Sequence, residues 1–370
     1  MRELRQVLAD LMPDVMSDAR FFDPANAKRI EKSSGRLAGL SHSLNADAAI
    51  NPVASAPADG DLSIPMIAEL FQQEARRAHQ AFKSGQKRYA QGVLASVPGF
   101  CLGCHTRHGK GPELSADFLA PRPQFARKLD QARFEAATRQ FDSSLALFSQ
   151  IIGDPKAAGV SGLDWERASR NALAIAVRVK NDPVLAGHLL DQILSAKDAP
   201  YFFREQAKKW KESIAEWKAE SPSPITSEDG LWVEAKRLSA KAEGRQKYPM
   251  DRSGALDYLR ATRASHDLLR AYPNGVHSQD ALFFLGVGYE ALQDMELWTL
   301  DQLYFEACVR RDPHSVTARS CLLRYEEAVY AGFTGSGGTD IPADIALKLD
   351  GLRKLTAVGS EDRDETVKPK

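Results

Sequence analysis

Cys101, Leu102, Gly103, Cys104 and His105 form the one pattern in this chain that spells out a definite chemistry. Two thiols followed at once by an imidazole make Cys-x-x-Cys-His, the attachment pattern of c-type haem. The thiols add across the two vinyl groups of the porphyrin, and the histidine ligates the iron. On a helix Cys101 and Cys104 stand about one turn apart and His105 lies four residues from Cys101, so all three project from one face. The expected cofactor is one covalent haem c, with Cys101 and Cys104 as thioether cysteines and His105 as the proximal ligand.

Three other readings use the same residues. With His108 the group offers four nitrogen and sulfur ligands, which is zinc chemistry by type. Structural zinc sites usually draw two ligand pairs from separate segments. Here all four candidates crowd into residues 101–108, and no second Cys-x-x-Cys or His-x-x-His pair exists. A thioredoxin-like redox pair needs a βαβ setting, and no strand is expected nearby. A disulfide between Cys101 and Cys104 would leave the adjacent His105 unexplained.

The distal side of the iron is the next question. Met12 and Met16 lie on the stripe of the first helix, one turn apart, and thioether sulfur is a haem ligand that raises the reduction potential. Either is a candidate distal ligand, and each also suits an ordinary core position. If neither binds, Leu8, Ala9 and Met12 line an open face. His42 and His79 read as surface or hydrogen-bonded core residues. His108 is too near His105 to serve the opposite face. His188, His266, His277 and His314 form no ligand spacing.

Around these residues the chain is helical. Apolar residues recur at three and four, Ala is abundant and no alternating strand stands out, so the fold class is all-α. Leu4, Val7, Leu8, Leu11, Met12, Val15, Met16 and Ala19 make one stripe, interrupted by Pro13. A second helix spans Pro24 to Leu44, capped by Asp23. A loop covers Asn45 to Asp61. A third helix runs from Ile64 to Ser84, and a fourth from Gln86 to the motif. Pro98-Gly99, just before Cys101, should break or kink that helix.

Four helices ending in Cys-x-x-Cys-His resemble the cytochrome c′ family and its low-spin, Met-ligated relatives. The likeness covers roughly the first 110 residues. It implies a four-helix bundle with the haem in its core, and it makes Arg5-Gln6 similar to the family's first-helix Arg-Gln, with Ala9 at the distal position. The family's basic residue four positions after the histidine is Gly109 here, between Arg107 and Lys110, so the bundle departs from the pattern.

Beyond Pro121-Arg122-Pro123 the chain reads as paired helices: Phe125–Ile152, Trp165–Val179 and Val184–Trp217, then a break at Ser221–Pro224 and a last region from Leu231. Arg139–Phe148 resembles the second half of a tetratricopeptide repeat. Ala281–Tyr289 resembles its Leu-Gly-x-x-Tyr core, and Asp312-Pro313 echoes Pro273 about forty residues on. The resemblance implies an α-solenoid of helical hairpins. The expected domains are a haem domain at 1–115, helical repeats at 124–220 and 229–357, and a disordered tail at 358–370. Gly332–Thr339 reads as a glycine-rich surface loop without phosphate-loop chemistry. Cys308 and Cys321 flank the Asp312-Pro313 turn and are either a disulfide or two buried thiols.

Composition narrows the function. Lys plus Arg and Asp plus Glu are both 49, a net charge of zero. That argues against a nucleic-acid binder. No run of eighteen apolar residues suits a membrane span. Met1 to Val15 is amphipathic with Glu3 and Asp10, unlike a signal peptide. Haem attachment to this motif occurs outside the cytoplasm, so the expectation is an exported, periplasmic protein whose signal has been removed. No catalytic triad, paired-carboxylate pattern or zincin motif stands out, and no enzyme is expected. The expected function is one-electron transfer by a monohaem c-type cytochrome, with the repeats docking it to a redox or assembly partner. The alternative is a five-coordinate haem that binds NO or CO, as sensor or scavenger, with the repeats as an interaction module.

Overall fold

The computed structural model describes residues 2–41, 63–107, 123–197, 199–220, 225–248, 250–293 and 300–357. The expected loop, the Ser221–Pro224 break, the tail, His42 and His108 lie outside them. Among the described residues there are sixteen α-helices and one hairpin of two-residue strands, so the all-α expectation holds. No described helix is long and apolar enough to cross a membrane.

The first helices are α1 (Arg2–Val15), the short α2 (Asp18–Phe21), α3 (Ala27–Ser41), α4 (Ser63–Lys83) and α5 (Lys87–His105). A 3₁₀ turn at Pro24–Asn26 leads into α3, with Asp23 accepting from the Ala25 N–H. Two expectations need correction here. Pro13 lies inside α1, and α5 runs through Pro98 as one helix up to His105. A proline removes one backbone hydrogen bond, and both prolines are buried, so packing on each side of the gap holds the helix together. The stripe of α1 faces inward: Leu11, Met12 and Val15 are buried with Phe21, Ile30, Leu37, Phe71, Ala75, Leu94 and Val97. α1 packs on α3 and α5, α3 on α4, and α4 on α5, so four helices enclose this first core.

The second region holds α6 (Lys128–Ala137), α7 (Phe141–Gly153), α8 (Gly162–Ala174), a π-helical turn (Ile175–Lys180), α9 (Pro183–Ser195), α10 (Tyr201–Ala219), α11 (Glu228–Arg245), α12 (Ala255–Ala271), α13 (Ser278–Ala291), α14 (Leu300–Arg311), α15 (Val316–Phe333) and α16 (Ala343–Ala357). Local chemistry starts several of them. Ser161, Ser227 and Ser315 each accept a backbone N–H three residues on, and Asp182 accepts from Val184 and Leu185 with Pro183 at the first helical position. Each such cap contributes about 1 kcal/mol. The span from Val184 to Trp217 is two helices, because Pro200 starts the second. Gly332 and Phe333 belong to α15 rather than to a loop, and the glycine-rich stretch forms the hairpin of β1 (Thr334–Gly335) and β2 (Gly338–Thr339).

Successive helices pack on one another from α6 to α8 and from α11 to α16. Their shared core runs from Leu129 to Leu352 and also takes in Ile67 of α4 and Leu102 of α5, while Phe134 of α6 belongs to the first core. α13 gets close to its neighbours through glycine: a Cβ at Gly286 would lie 2.3 Å from Phe305, and one at Gly288 2.5 Å from Thr262. Cys308 and Cys321 form a disulfide between α14 and α15, with Cα atoms 6.2 Å apart. A bridge closing a loop of this size restricts the unfolded chain by about 3 kcal/mol. Replacing both cysteines by alanine is expected to lower stability by about 2–4 kcal/mol, read from urea unfolding, and an unchanged midpoint would show that the bridge adds nothing.

Candidate haem-attachment site

α5 carries the motif on its last turns. His105 is the final helical residue, and the Thr106 N–H closes the helix on the Leu102 and Cys104 carbonyls. The Thr106 hydroxyl donates to the same Leu102 oxygen at 2.7 Å. Because the backbone stays helical through Pro98, the spacing of Cys101, Cys104 and His105 keeps their side chains on one side.

The other side of this turn is packed against the second region. Leu102 is buried in the second core. A Cβ on Gly103 would come within 3.1 Å of Leu300 of α14, so glycine sets how close the two helices lie. Arg107 donates from Nε to the Gly103 carbonyl at 3.4 Å, and its guanidinium sits 5.7 Å from the Tyr304 ring centre. Such a cation over an aromatic face contributes roughly 0.5–2 kcal/mol.

His105 is held by the turn between α6 and α7. Its Nδ1 lies 2.6 Å from the carbonyl oxygen of Ala137, the last residue of α6. A carbonyl only accepts, so Nδ1 carries the proton and Nε2 keeps its lone pair. Arg139, in the left-handed conformation with φ of 64°, donates from Nη1 to the His105 carbonyl at 3.2 Å. Burial pushes the His105 pKa down to about 4, the bond to Ala137 opposes that shift, and the charge of Arg139 adds to it. The ring is therefore neutral across the neutral pH range.

Cys101 packs against both cores and Cys104 against the second. No disulfide joins them. Burial first, and then the neighbouring Cys104, pushes the Cys101 thiol up to about 12.

These residues fit a covalent haem. Attachment asks for two thiols on one helical face and a neutral imidazole whose second nitrogen is tied to a carbonyl, which fixes the ring and raises its basicity. Zinc asks for convergence instead. Among the described residues no three His, Cys, Asp or Glu side chains gather where an ion could sit, and His108, the fourth ligand of the zinc reading, lies outside them.

The other candidates fall as follows. Met12 is buried in the first core, the one Cys101 also touches, and Met16 is half-buried at its edge. Ala9 is buried and lines a cleft. His79 Nδ1 bonds the Ser34 hydroxyl at 3.0 Å, the hydrogen-bonded reading. His188 and His314 are exposed. His277 stacks on Trp232, and His266 is buried beside Tyr289 and Tyr304. Sequence reasoning missed Ala137, which acts through its backbone and leaves no mark in residue type, and Arg139, whose guanidinium reaches back across the interface. No family model, curated protein or solved structure matches this chain.

Two outcomes are expected from this geometry in protein without haem. The folded His105 pKa lies below its unfolded value of 6.5. The unfolded chain thus binds more protons between about pH 4 and 6.5, and the stability present above this window is lost as pH falls through it. The loss is at most about 3 kcal/mol, the equivalent of the full shift, and is smaller to the extent that the half-buried His105 reaches solvent. Urea titrations of His105→Gln should lack this pH dependence, and identical slopes would refute the assignment. Alkylation of Cys101 at neutral pH should be at least about a hundredfold slower in the native protein than in urea. Equal rates would mean the thiol is not shielded.

Proposed function

We propose that this chain is a monohaem c-type cytochrome that transfers one electron at a time, with haem c held through Cys101 and Cys104 and its iron ligated by His105. The observation that carries the reading is the His105 imidazole: neutral, protonated on Nδ1 against the Ala137 carbonyl, with Nε2 left as a ligand on the same turn as two thiols. When bound, haem supplies a one-electron iron couple whose potential depends on axial ligation and burial. The chain supplies the rest. Ala137 holds the ring orientation, Arg139 satisfies the end of α5, and Phe100, Leu102 and Leu300 exclude water from the motif.

We read α1, α3, α4 and α5 as a four-helix bundle and α6 to α16 as tetratricopeptide-like hairpins that dock a redox or assembly partner. Support for docking comes from exposed Tyr201 and Phe202 at the start of α10, since large exposed aromatics mark interaction surfaces. Export to an oxidising compartment is supported by the Cys308–Cys321 disulfide. Met12 is the candidate distal ligand, because it shares the first core with Cys101. One observation favours the gas-binding alternative: Ala9, a small residue at the position the cytochrome c′ likeness makes distal, borders a cleft open to solvent.

The test is the visible spectrum of protein matured with haem-attachment machinery, oxidised and reduced, with and without CO. The expected result is covalent haem, lost in Cys101→Ala/Cys104→Ala, with a low-spin spectrum indifferent to CO that turns high-spin in Met12→Ala. A high-spin, CO-binding wild type would move the gas-binding reading ahead, and absence of covalent haem would overturn both.

A further inference from the structure

A cleft of about 480 Å³ opens between α1, the α2 turn and α3, with Pro123 and Gln124 at its edge. Arg20 lines it, together with Arg29, Lys32, Ser33 and Arg36 of α3. The α3 positions are spaced by three, four and seven, so they form one helical face made entirely of hydrogen-bond donors. Like charges at such spacings repel, by roughly 0.2–0.5 kcal/mol per pair. The face is therefore mildly unfavourable unless something negative sits against it.

Part of the answer is built into the fold. Asp14 is wholly buried behind the cleft; Arg29 Nη2 donates to its Oδ1 at 2.9 Å, and Arg20 Nη2 forms an ion pair with the same oxygen at 2.8 Å. Arg29 is pinned further by Asn26, whose Oδ1 lies 2.8 Å from the same nitrogen. Two guanidiniums are thus held in fixed positions by a carboxylate that the cleft does not expose. The other carboxylate at the cleft, Asp10, accepts from Gln6 at 2.9 Å. Lys32 and Arg36 are exposed and have no ion-pair partner among the described residues. Among the described residues, four cationic side chains against two carboxylates leave an excess of two positive charges.

We propose that this cleft binds a phosphate-class dianion, either inorganic phosphate or a phosphate monoester on a small organic body. The charge excess matches a dianion. Guanidinium forks pair with tetrahedral oxyanions through short, charge-assisted hydrogen bonds, while Lys32 supplies a flexible point charge. The cleft is larger than a bare phosphate needs, and its apolar floor at Ala9 and Pro13 offers room for a carrier group. None of Cys101, Cys104 and His105 lines the cleft, and the proposal does not rest on the haem reading; only the gas-binding alternative would use the Ala9 edge of the same cleft.

The test is titration calorimetry on the full chain at low salt, with inorganic phosphate in one arm and glycerol phosphate in the other. Saturable one-to-one binding is expected, weakening as salt rises. Lys32→Ala/Arg36→Ala should weaken it by about tenfold or more. Both positions are exposed on a helix, where alanine is favourable, so the fold is kept. Arg76→Ala, exposed on α4 and outside the lining of the cleft, should leave binding unchanged. Phosphate should raise the unfolding temperature of the wild type and not of the double variant. Tighter binding of glycerol phosphate would assign a monoester, and equal binding the inorganic ion. No saturable binding in either arm, or an equal loss in Arg76→Ala, would overturn the proposal.

Discussion

The hydrogen bond from His105 to the Ala137 carbonyl sets the arrangement on which the rest depends. Ala137 ends α6, and a helix end leaves carbonyls without partners inside the helix. The imidazole fills one of them. In return the carbonyl fixes which ring nitrogen carries the proton. Arg139, next in the same turn, answers the matching problem at the end of α5 by donating to the His105 carbonyl. Two helix ends therefore complete each other, and the motif lies in the seam between them. Phe100 and Cys101 touch both cores, so the residues that suit haem attachment also join the two halves of the chain.

A buried polar network continues this junction. Arg107, two residues past the histidine, lies over Tyr304. Tyr304 stacks on Tyr289 with centres 5.0 Å apart, and the Tyr289 hydroxyl meets both His266 Nε2, at 2.9 Å, and Arg178 Nη2, at 2.5 Å. Arg178 comes from the π-helical turn after α8. Polar groups in a low-dielectric interior are costly unless oriented, so such a network favours one register of the helices over others. It reaches from the chain segment after the motif to the turn after α8 and to α12, α13 and α14.

What the sequence made legible was periodic or local. The three-and-four spacing of apolar residues marks the helices, and Asp23 before Pro24 marks a start that the structure keeps. Gly286 and Gly288 mark close packing, and it occurs. The Cys-x-x-Cys-His spacing needs only a continuous helix, which is present. Legibility ended where a distant partner decides. Pro98 reads as a break, yet burial on both sides of it holds α5 together. Ala137 contributes a backbone atom, which any residue carries. The grouping of Arg20 and Arg29 on Asp14 leaves no local mark, because the pairing that gathers them spans fifteen residues and a turn.

The same burial that makes His105 a good ligand makes Cys101 a poor nucleophile. Thioether formation draws on reactive sulfur, and the folded environment holds the Cys101 thiol protonated far above neutral pH. In the unfolded chain that thiol has an ordinary pKa and full access to reagents. On the proposed reading, attachment therefore precedes the closing of α6 and α14 over the last turn of α5. The order has a structural consequence. On that reading haem would be in place before the second core forms around Leu102 and Gly103, and the bond from His105 to Ala137 would hold an imidazole orientation set earlier. A chain matured without haem would close the same seam over two unreacted thiols.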